Sequence, residues 1–327
     1  MNKKILLTGA LGFVGGYTLR KLVENRDFEI VAIIRPKTKK KRVEEFIGKV
    51  EFVEIDLCDT EGLTRYLKTQ VFDSILHIGA IRGGRKFSKN EYYLANVVST
   101  KVLAENALKN NSKFIFCSSV GVFGSIPKKV PASKNTAYCP DNLYHCTKFE
   151  AEQMLKNLNC KRFKSYILRP SIIYGRGDSG FPNILIRLIA KKFLFFPKKS
   201  KLLHLTNINL LVESFVSIIT KEISSPLDDI VVDDKPTNLK ELADFINFQL
   251  NKKAYPNIFQ LPIPVFQLAK YLLKIFHLDS FISKIDYLLN DWHYYTEFKK
   301  ILQIEKNYCT IPLISDVVDE YKTMQGV

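Results

Sequence analysis

Tyr144 and Lys148 stand four residues apart in the run Tyr144-His145-Cys146-Thr147-Lys148, and residues at that spacing share one face of a helix. An ammonium beside a phenol favours the phenolate, which brings an acid-base group whose ordinary pKa is ~10 towards working pH. The spacing alone is common on ordinary helices. It gains meaning from a serine, Ser119, just past the strand-like run Phe114-Ile115-Phe116-Cys117, and from a glycine-rich turn near the N-terminus.

That turn is Thr8-Gly9-Ala10-Leu11-Gly12-Phe13-Val14-Gly15. It follows the apolar run Ile5-Leu6-Leu7 and opens a segment in which Val14, Leu19, Leu22 and Val23 recur at helical spacing, which sets the glycines at a strand-to-helix turn. Glycines let the backbone approach a pyrophosphate closely, and the helix N-terminus favours its charge, so a dinucleotide site is expected here. A second strand, Phe28 to Ile34, ends at Arg35. An acidic residue about 20 positions beyond the glycines serves NAD(H), whereas an arginine accommodates a 2′-phosphate. Arg35, with Thr38 and Lys39 behind it, therefore leans an NAD(P) site towards NADP(H).

The elements that must position these groups alternate along the chain. Val50 to Ile55 reads as a third strand, leading to Asp56-Leu57, and Phe72 to Ile78 as a fourth, leading to Gly79-Ala80. A helical pattern over Lys89 to Lys109 contains Asn96, the run at 114–117 is a fifth strand, and a helix reaches from Tyr144 to about Leu158 with Asp141 as its cap. Short apolar strands alternating with amphipathic helices predict an α/β fold of Rossmann type, a doubly wound parallel sheet covered on both faces. Ligands of such sheets lie beyond the carboxyl ends of the strands, so Gly9, Arg35, Asp56, Gly79 and Ser119 should converge on one crevice.

With these pieces in order, the chain resembles an extended short-chain dehydrogenase/reductase of the NAD-dependent epimerase/dehydratase family over nearly its whole length. The likeness rests on the glycine motif at 8–15, Asp56-Leu57, His77 to Ala80, Asn96, and Ser119 set 25 positions before Tyr144 and Lys148. It also rests on Leu168-Arg169-Pro170-Ser171-Ile172-Ile173-Tyr174-Gly175, similar to the family's entry into its substrate domain. The resemblance implies a catalytic set of Ser119, Tyr144, Lys148 and Asn96. Tyr144 would exchange a proton with a substrate hydroxyl or ketone, Lys148 would lower its pKa and hold the nicotinamide ribose, and Ser119 would hydrogen-bond the reacting oxygen. It further implies cofactor contacts from Thr8, Gly9, Leu11, Gly12, Phe13, Val14, Gly15, Arg35, Asp56, Leu57, Ile78, Gly79, Ala80, Tyr144, Lys148 and Pro170, with no metal.

Departures from the family pattern bear on the substrate. Dehydratases carry an Asp-Glu pair directly after the catalytic Ser/Thr; Val120-Gly121 stands there, which disfavours 4,6-dehydration. Nucleotide-sugar enzymes often carry an asparagine where this chain has Ile172, and an arginine near 201–204, where it has Lys201. Lys198, Lys199 and Lys201 could still meet a diphosphate as point charges. The expected activity is hydride transfer at a secondary alcohol or ketone of a sugar or nucleotide-sugar. A reductase of an apolar hydroxysteroid- or isoprenoid-like alcohol stays open, as does a dinucleotide-binding sensor or scaffold without turnover, although such relatives commonly lack the tyrosine or lysine kept here.

The second half supplies a smaller, mostly helical C-terminal substrate domain. Residues 1–170 with about 205–234 are expected to form the dinucleotide-binding part, interleaved with 171–204 and 235–327. Helices are expected over Phe181 to Lys192, Asn209 to Glu222 and Asn238 to Gln249, and a returning strand over Ile230 to Asp233. From Pro264 to Asn290 a wide apolar stripe, including Val265, Phe266, Leu268, Leu272, Leu273, Ile275, Phe276 and Phe281, is flanked by Lys270, Lys274 and Lys284. Such a pair suits a membrane surface or the roof of a lipid-like substrate's pocket, but core is the expectation.

Composition narrows the classes. In 327 residues, 49 Lys and Arg against 33 Asp and Glu give a formal charge of +16, yet no zinc-finger or RNP-type string accompanies it, and a solvated basic surface is favoured over nucleic-acid binding. Six cysteines without a CxxC pair, no signal peptide and no apolar run of the ~18 residues a membrane span needs suggest a cytoplasmic protein with a small-molecule substrate. Peripheral membrane contact is left open. A homodimer through the 89–109 and 141–158 helices is implied by the resemblance.

Overall fold

In a computed structural model, which describes residues 3–82, 87–160, 163–223, 226–276 and 279–326, the short apolar runs pair as parallel strands. They are β1 (Lys3–Thr8), β2 (Phe28–Ile34), β3 (Glu51–Glu54), β4 (Ser74–His77), β5 (Lys113–Cys117), β6 (Ser165–Pro170) and β7 (Leu227–Val231), in the order β7-β6-β5-β4-β1-β2-β3. Alternate residues of a strand point to opposite faces. Ile5 and Leu7 of β1 pack with Leu19 and Leu22 of α1 (Phe13–Val23), and with Leu211 and Phe215 of a helix further along the chain. Leu6 faces the other way, into a core with Leu63 and Leu67 of α2 (Thr60–Leu67). A short helix, α3 (Lys89–Tyr93), passes through a π turn at Leu94–Val98 into α4 (Ser99–Asn110), which adds Leu103 and Ala107 to that second face. Ala151 and Leu155 of α5 (Leu143–Leu158) complete it. The strands are thus apolar on both sides because both sides are covered. The chain order reverses between β1 and β4, which opens a crevice at their carboxyl ends.

One buried pair fixes α5 against the sheet. Arg169 of β6 is fully buried and donates through Nε and Nη2 to the two carboxylate oxygens of Glu152, at 2.8 and 2.7 Å. Ser118 donates to the same carboxylate. A two-pronged contact of this kind sets orientation as well as attraction, and it holds the helix that carries Tyr144 and Lys148.

The second core gathers α6 (Phe181–Ala190), α8 (Leu239–Asn251) and the C-terminal helix Ser315–Gln325 around Leu185, Ile189, Leu242, Ile246, Val317 and Trp292. Between them in sequence, α7 (Ile208–Thr220) and β7 return to the sheet layer, α7 being the helix of Leu211 and Phe215. Phe298, Leu302, Ile304 and Tyr308 also pack on the sheet layer.

Three local expectations change. Asp141 does not cap α5; Asn142 does, its side chain accepting from the His145 amide, while Asp141 turns to the His145 ring. The 89–109 helix is interrupted at the π turn that bears Asn96. The 264–290 stretch forms two helices, α9 (Ile263–Ile275) and α10 (Asp279–Leu289), and the α9 stripe faces outward instead of forming core, with Phe266 its buried member. Residues 277–278 and the side chains of Phe281 and Lys284 lie outside the described residues.

Candidate active site

The glycine turn is built by close approach. Gly9 has φ +71°, and a Cβ there would lie 2.7 Å from the Gly79 amide nitrogen; one on Gly15 would lie 2.0 Å from the Gly9 carbonyl oxygen. These residues let β1, the β4 loop and α1 meet. The N-terminus of α1 has neither a capping side chain nor an acid in its first turn, so its amides remain directed at the crevice. Thr8 does not face the crevice. It is buried, with Oγ1 2.6 Å from His77 Nδ1 and accepting from the Gly79 amide at 3.0 Å, while His77 Nε2 meets Thr100 Oγ1 at 2.9 Å. Burial holds that imidazole well below its ordinary pKa, so it acts as a neutral clip beneath the loop.

Above the turn lies a cavity of about 600 Å³. Gly9, Leu11, Gly12, Phe13, Val14 and Gly15 line it, with Arg35, Asp56, Leu57, Ile78, Gly79 and Ala80. Thr38 and Arg42 join Arg35 at this wall, and the Arg42 guanidinium donates to the Leu11 carbonyl. The lining carries Arg35, Thr38 and Arg42 together with Asp56 and Glu91, and it fits a dinucleotide phosphate cradle: the amides at α1 are free of side-chain competitors and neither Gly9 nor Gly15 could carry a Cβ atom there.

A second cavity of about 400 Å³ shares Val14, Ile78, Ala80 and Arg82 with the first. Ser119, Tyr144 and Pro170 line it, together with Gly121, His145, Ile172, Tyr287, Trp292 and Tyr294. Lys148 lies beneath the floor, buried, with Nζ donating to the Cys117 carbonyl at 2.8 Å and 4.4 Å from the Phe116 ring centroid. Burial lowers its pKa to about 8, against Cys117 and Glu152, which raise it. Burial pushes the Tyr144 phenol upward while the Arg82 guanidinium pulls it down. Asn96 is buried and does not reach the cavity. Its Oδ1 accepts from the Ile81 amide at 2.7 Å, and its Nδ2 donates to the Ile81 carbonyl and to Thr147 Oγ1, both at 2.9 Å. It is a positioning residue, tying the β4 loop to α5.

His145 was not singled out from the sequence. Its Nδ1 lies 2.6 Å from Asp141 Oδ1, and a Cβ on Gly121 would sit 2.1 Å from its Cδ2, so the ring fills the space a side chain at 121 would take. Burial lowers its pKa, with Asp141 opposing. Arg82 and the C-terminal aromatics were missed too, because nothing in local sequence ties them to the crevice. Conversely, Lys198, Lys199 and Lys201 do not line the cavity; Lys198 and Lys199 are exposed and Lys201 pairs with Asp291 at 3.7 Å.

Fold and site together define a Rossmann-type α/β protein with the glycine turn in one cavity, Ser119 and Tyr144 in the adjoining one and Lys148 beneath it. The sequence pattern of the NAD dependent epimerase/dehydratase family matches residues 5–206, and the chain belongs to that family. UDP-glucose 4-epimerase of Caenorhabditis elegans is 29% identical over 57% of this chain, which spans only 61% of that enzyme's length. N-acetyl-α-D-glucosaminyl-diphospho-ditrans,octacis-undecaprenol 4-epimerase of Escherichia coli O157:H7 is 28% identical over 84% of this chain and 80% of its own. UDP-glucuronic acid 4-epimerase of Bacillus cereus, solved in complex with NAD, superposes with a TM-score of 0.73 at 20% identity, covering 98% of this chain and 99% of its own. At that identity the likeness concerns the fold.

Proposed function

We propose that the protein is an epimerase or oxidoreductase acting at a secondary alcohol of a diphosphate-linked sugar, with NADP(H) preferred over NAD(H). The observation that carries this reading is the meeting of Ser119 and Tyr144 in the wall of the inner cavity, which shares Val14, Ile78, Ala80 and Arg82 with the glycine-lined one, with Lys148 beneath. A bound dinucleotide supplies the hydride acceptor and donor. Tyr144 Oη takes the proton of the substrate hydroxyl and returns it to the ketone, Ser119 Oγ holds the same oxygen, and Lys148, whose Nζ is bonded to the Cys117 carbonyl beneath the cavity, would hold the nicotinamide ribose of a bound cofactor. Asn96 keeps α5 and the β4 loop in register. Arg35 and Arg42, with Thr38 between them, are the groups that would receive a 2′-phosphate.

Two relatives are named for sugars on diphosphates, one nucleotide-linked and one lipid-linked, and Arg82, shared by the two cavities, is the cation that a diphosphate would meet. Val120 and Gly121 bring no acidic pair, which favours epimerisation or simple redox chemistry over dehydration. The apolar lining from Ile172, Tyr287, Trp292 and Tyr294 favours as a second reading a reductase of an apolar alcohol. Copies are expected to pair over α4 and α5, and the free cysteines suit the cytoplasm.

The test is incubation with UDP-hexoses and with a polyprenyl-diphospho-N-acetylhexosamine, followed by NMR of the sugar. Inversion at one carbinol centre supports the proposal. Net reduction of an apolar ketone with no sugar turned over would replace it by the second reading.

A further inference from the structure

We propose that α9 and the edge beside it form a docking surface for an anionic lipid bilayer. At 3.6 residues per turn, Val265, Leu268, Leu272 and Ile275 fall on one stripe, and all four are exposed, at 46%, 59%, 45% and 53%. Tyr271 and Phe276 widen it, at 64% and 69%. The side turned inward carries Phe266, and Lys270 there reaches Asp286 of α10 at 2.5 Å. The helix therefore presents its apolar face to solvent, the reverse of what folding alone would select.

The segment that leads into the helix carries exposed apolar residues of its own. Gln260–Leu261, just before α9, pairs with Phe196–Pro197, and the rings of Phe195 and Phe259 meet edge-on at 5.4 Å. Phe193 is 65% exposed and Ile258 79%. Exposed lysines adjoin these segments in sequence, Lys191 and Lys192 before Phe193, Lys198 and Lys199 after Pro197, and Lys274 on α9 itself, none of them in an ion pair among the described residues. Apolar side chains that enter the acyl boundary, ringed by cations at headgroup level, are the complement of an anionic membrane surface. A second copy of this chain would bring the same lysines against them, which makes the bilayer the better occupant. No described helix is long and apolar enough to cross a membrane, so the contact is interfacial. Because α10 packs on α9 and places Tyr287 in the inner cavity, the docked face is one helix away from the substrate site.

Flotation with vesicles of phosphatidylcholine, alone or mixed with phosphatidylglycerol, tests this. The full chain should float with the mixed vesicles, less so as salt rises. Leu268→Asp with Leu272→Asp should lower partitioning by roughly a hundredfold, and Lys198→Glu with Lys199→Glu should remove most of the preference for the anionic lipid. Dinucleotide titration of the same samples shows that the variants are folded, and its outcome bears on the proposed activity without touching this one. Absence of flotation, equal flotation of the double-Asp variant, or a solution dimer that the double-Asp variant splits would each overturn the proposal, the last by assigning the face to a second copy.

Discussion

Lys148 makes two opposed pH dependences from one burial. Its pKa falls from 10.5 to about 8 in the folded chain, so between those values the unfolded chain holds the extra proton and this group's contribution to stability rises with pH. The cation that would hold the ribose fades across the same window. Dinucleotide affinity should be flat below pH 8 and weaken above it, while the melting temperature contribution moves the other way. In Lys148→Met both trends should vanish, as titration and melting across pH 8 would reveal. Tyr144→Phe should cost about 10²- to 10⁴-fold in turnover with dinucleotide binding unchanged; activity that survives the change would remove the tyrosine from the chemistry. Gly15→Ala sets a Cβ against backbone at 2.0 Å, and should cost about 1–3 kcal/mol in stability, read in denaturant melts, along with dinucleotide binding. The residues of this turn were legible because chemistry and spacing coincide in one short run. His145 was not, since its meaning comes from Gly121, which is remote in sequence and leaves the space empty.

At the level of elements, strands were readable because both faces of the sheet are covered and the runs are continuously apolar, as over Ile30–Ile34 within β2. The direction of an apolar stripe is a different matter. Periodicity says that Val265, Leu268 and Leu272 share a face, and says nothing about which way that face turns, so α9 was expected in a core it does not join. The π turn at Leu94–Val98 was equally hidden, because one extra residue in a helix leaves no mark on composition. The Arg169–Glu152 pair gives this scale its own prediction. Arg169→Met strands a buried carboxylate and should destabilise by about 3–5 kcal/mol, whereas replacing both partners by apolar residues of similar volume should cost much less. Thermal melts of the single and double variants decide it.

For the whole molecule, the formal charge of +16 was first assigned to a solvated surface, and the fold redistributes part of it into two places. Arg35, Arg42 and Arg82 line the crevice, and exposed lysines lie on α9 and on the segments next to its partners, at Lys274, Lys198 and Lys199. The first carries the proposed preference for NADP(H), the second the proposed contact with a lipid surface. Charge totals in a sequence cannot separate these, because the separation is made by which strand ends and which loops come together. The central claim, a dinucleotide site with a 2′-phosphate pocket opening on Ser119 and Tyr144, is most directly tested by denaturing the purified protein, identifying any dinucleotide released, and titrating the emptied protein with NADPH and NADH. Binding of both, with NADPH tighter by roughly tenfold or more and the difference erased in Arg35→Ala with Arg42→Ala, is the predicted result. Tighter binding of NADH would contradict the arginine pocket, and binding of neither would contradict the site itself.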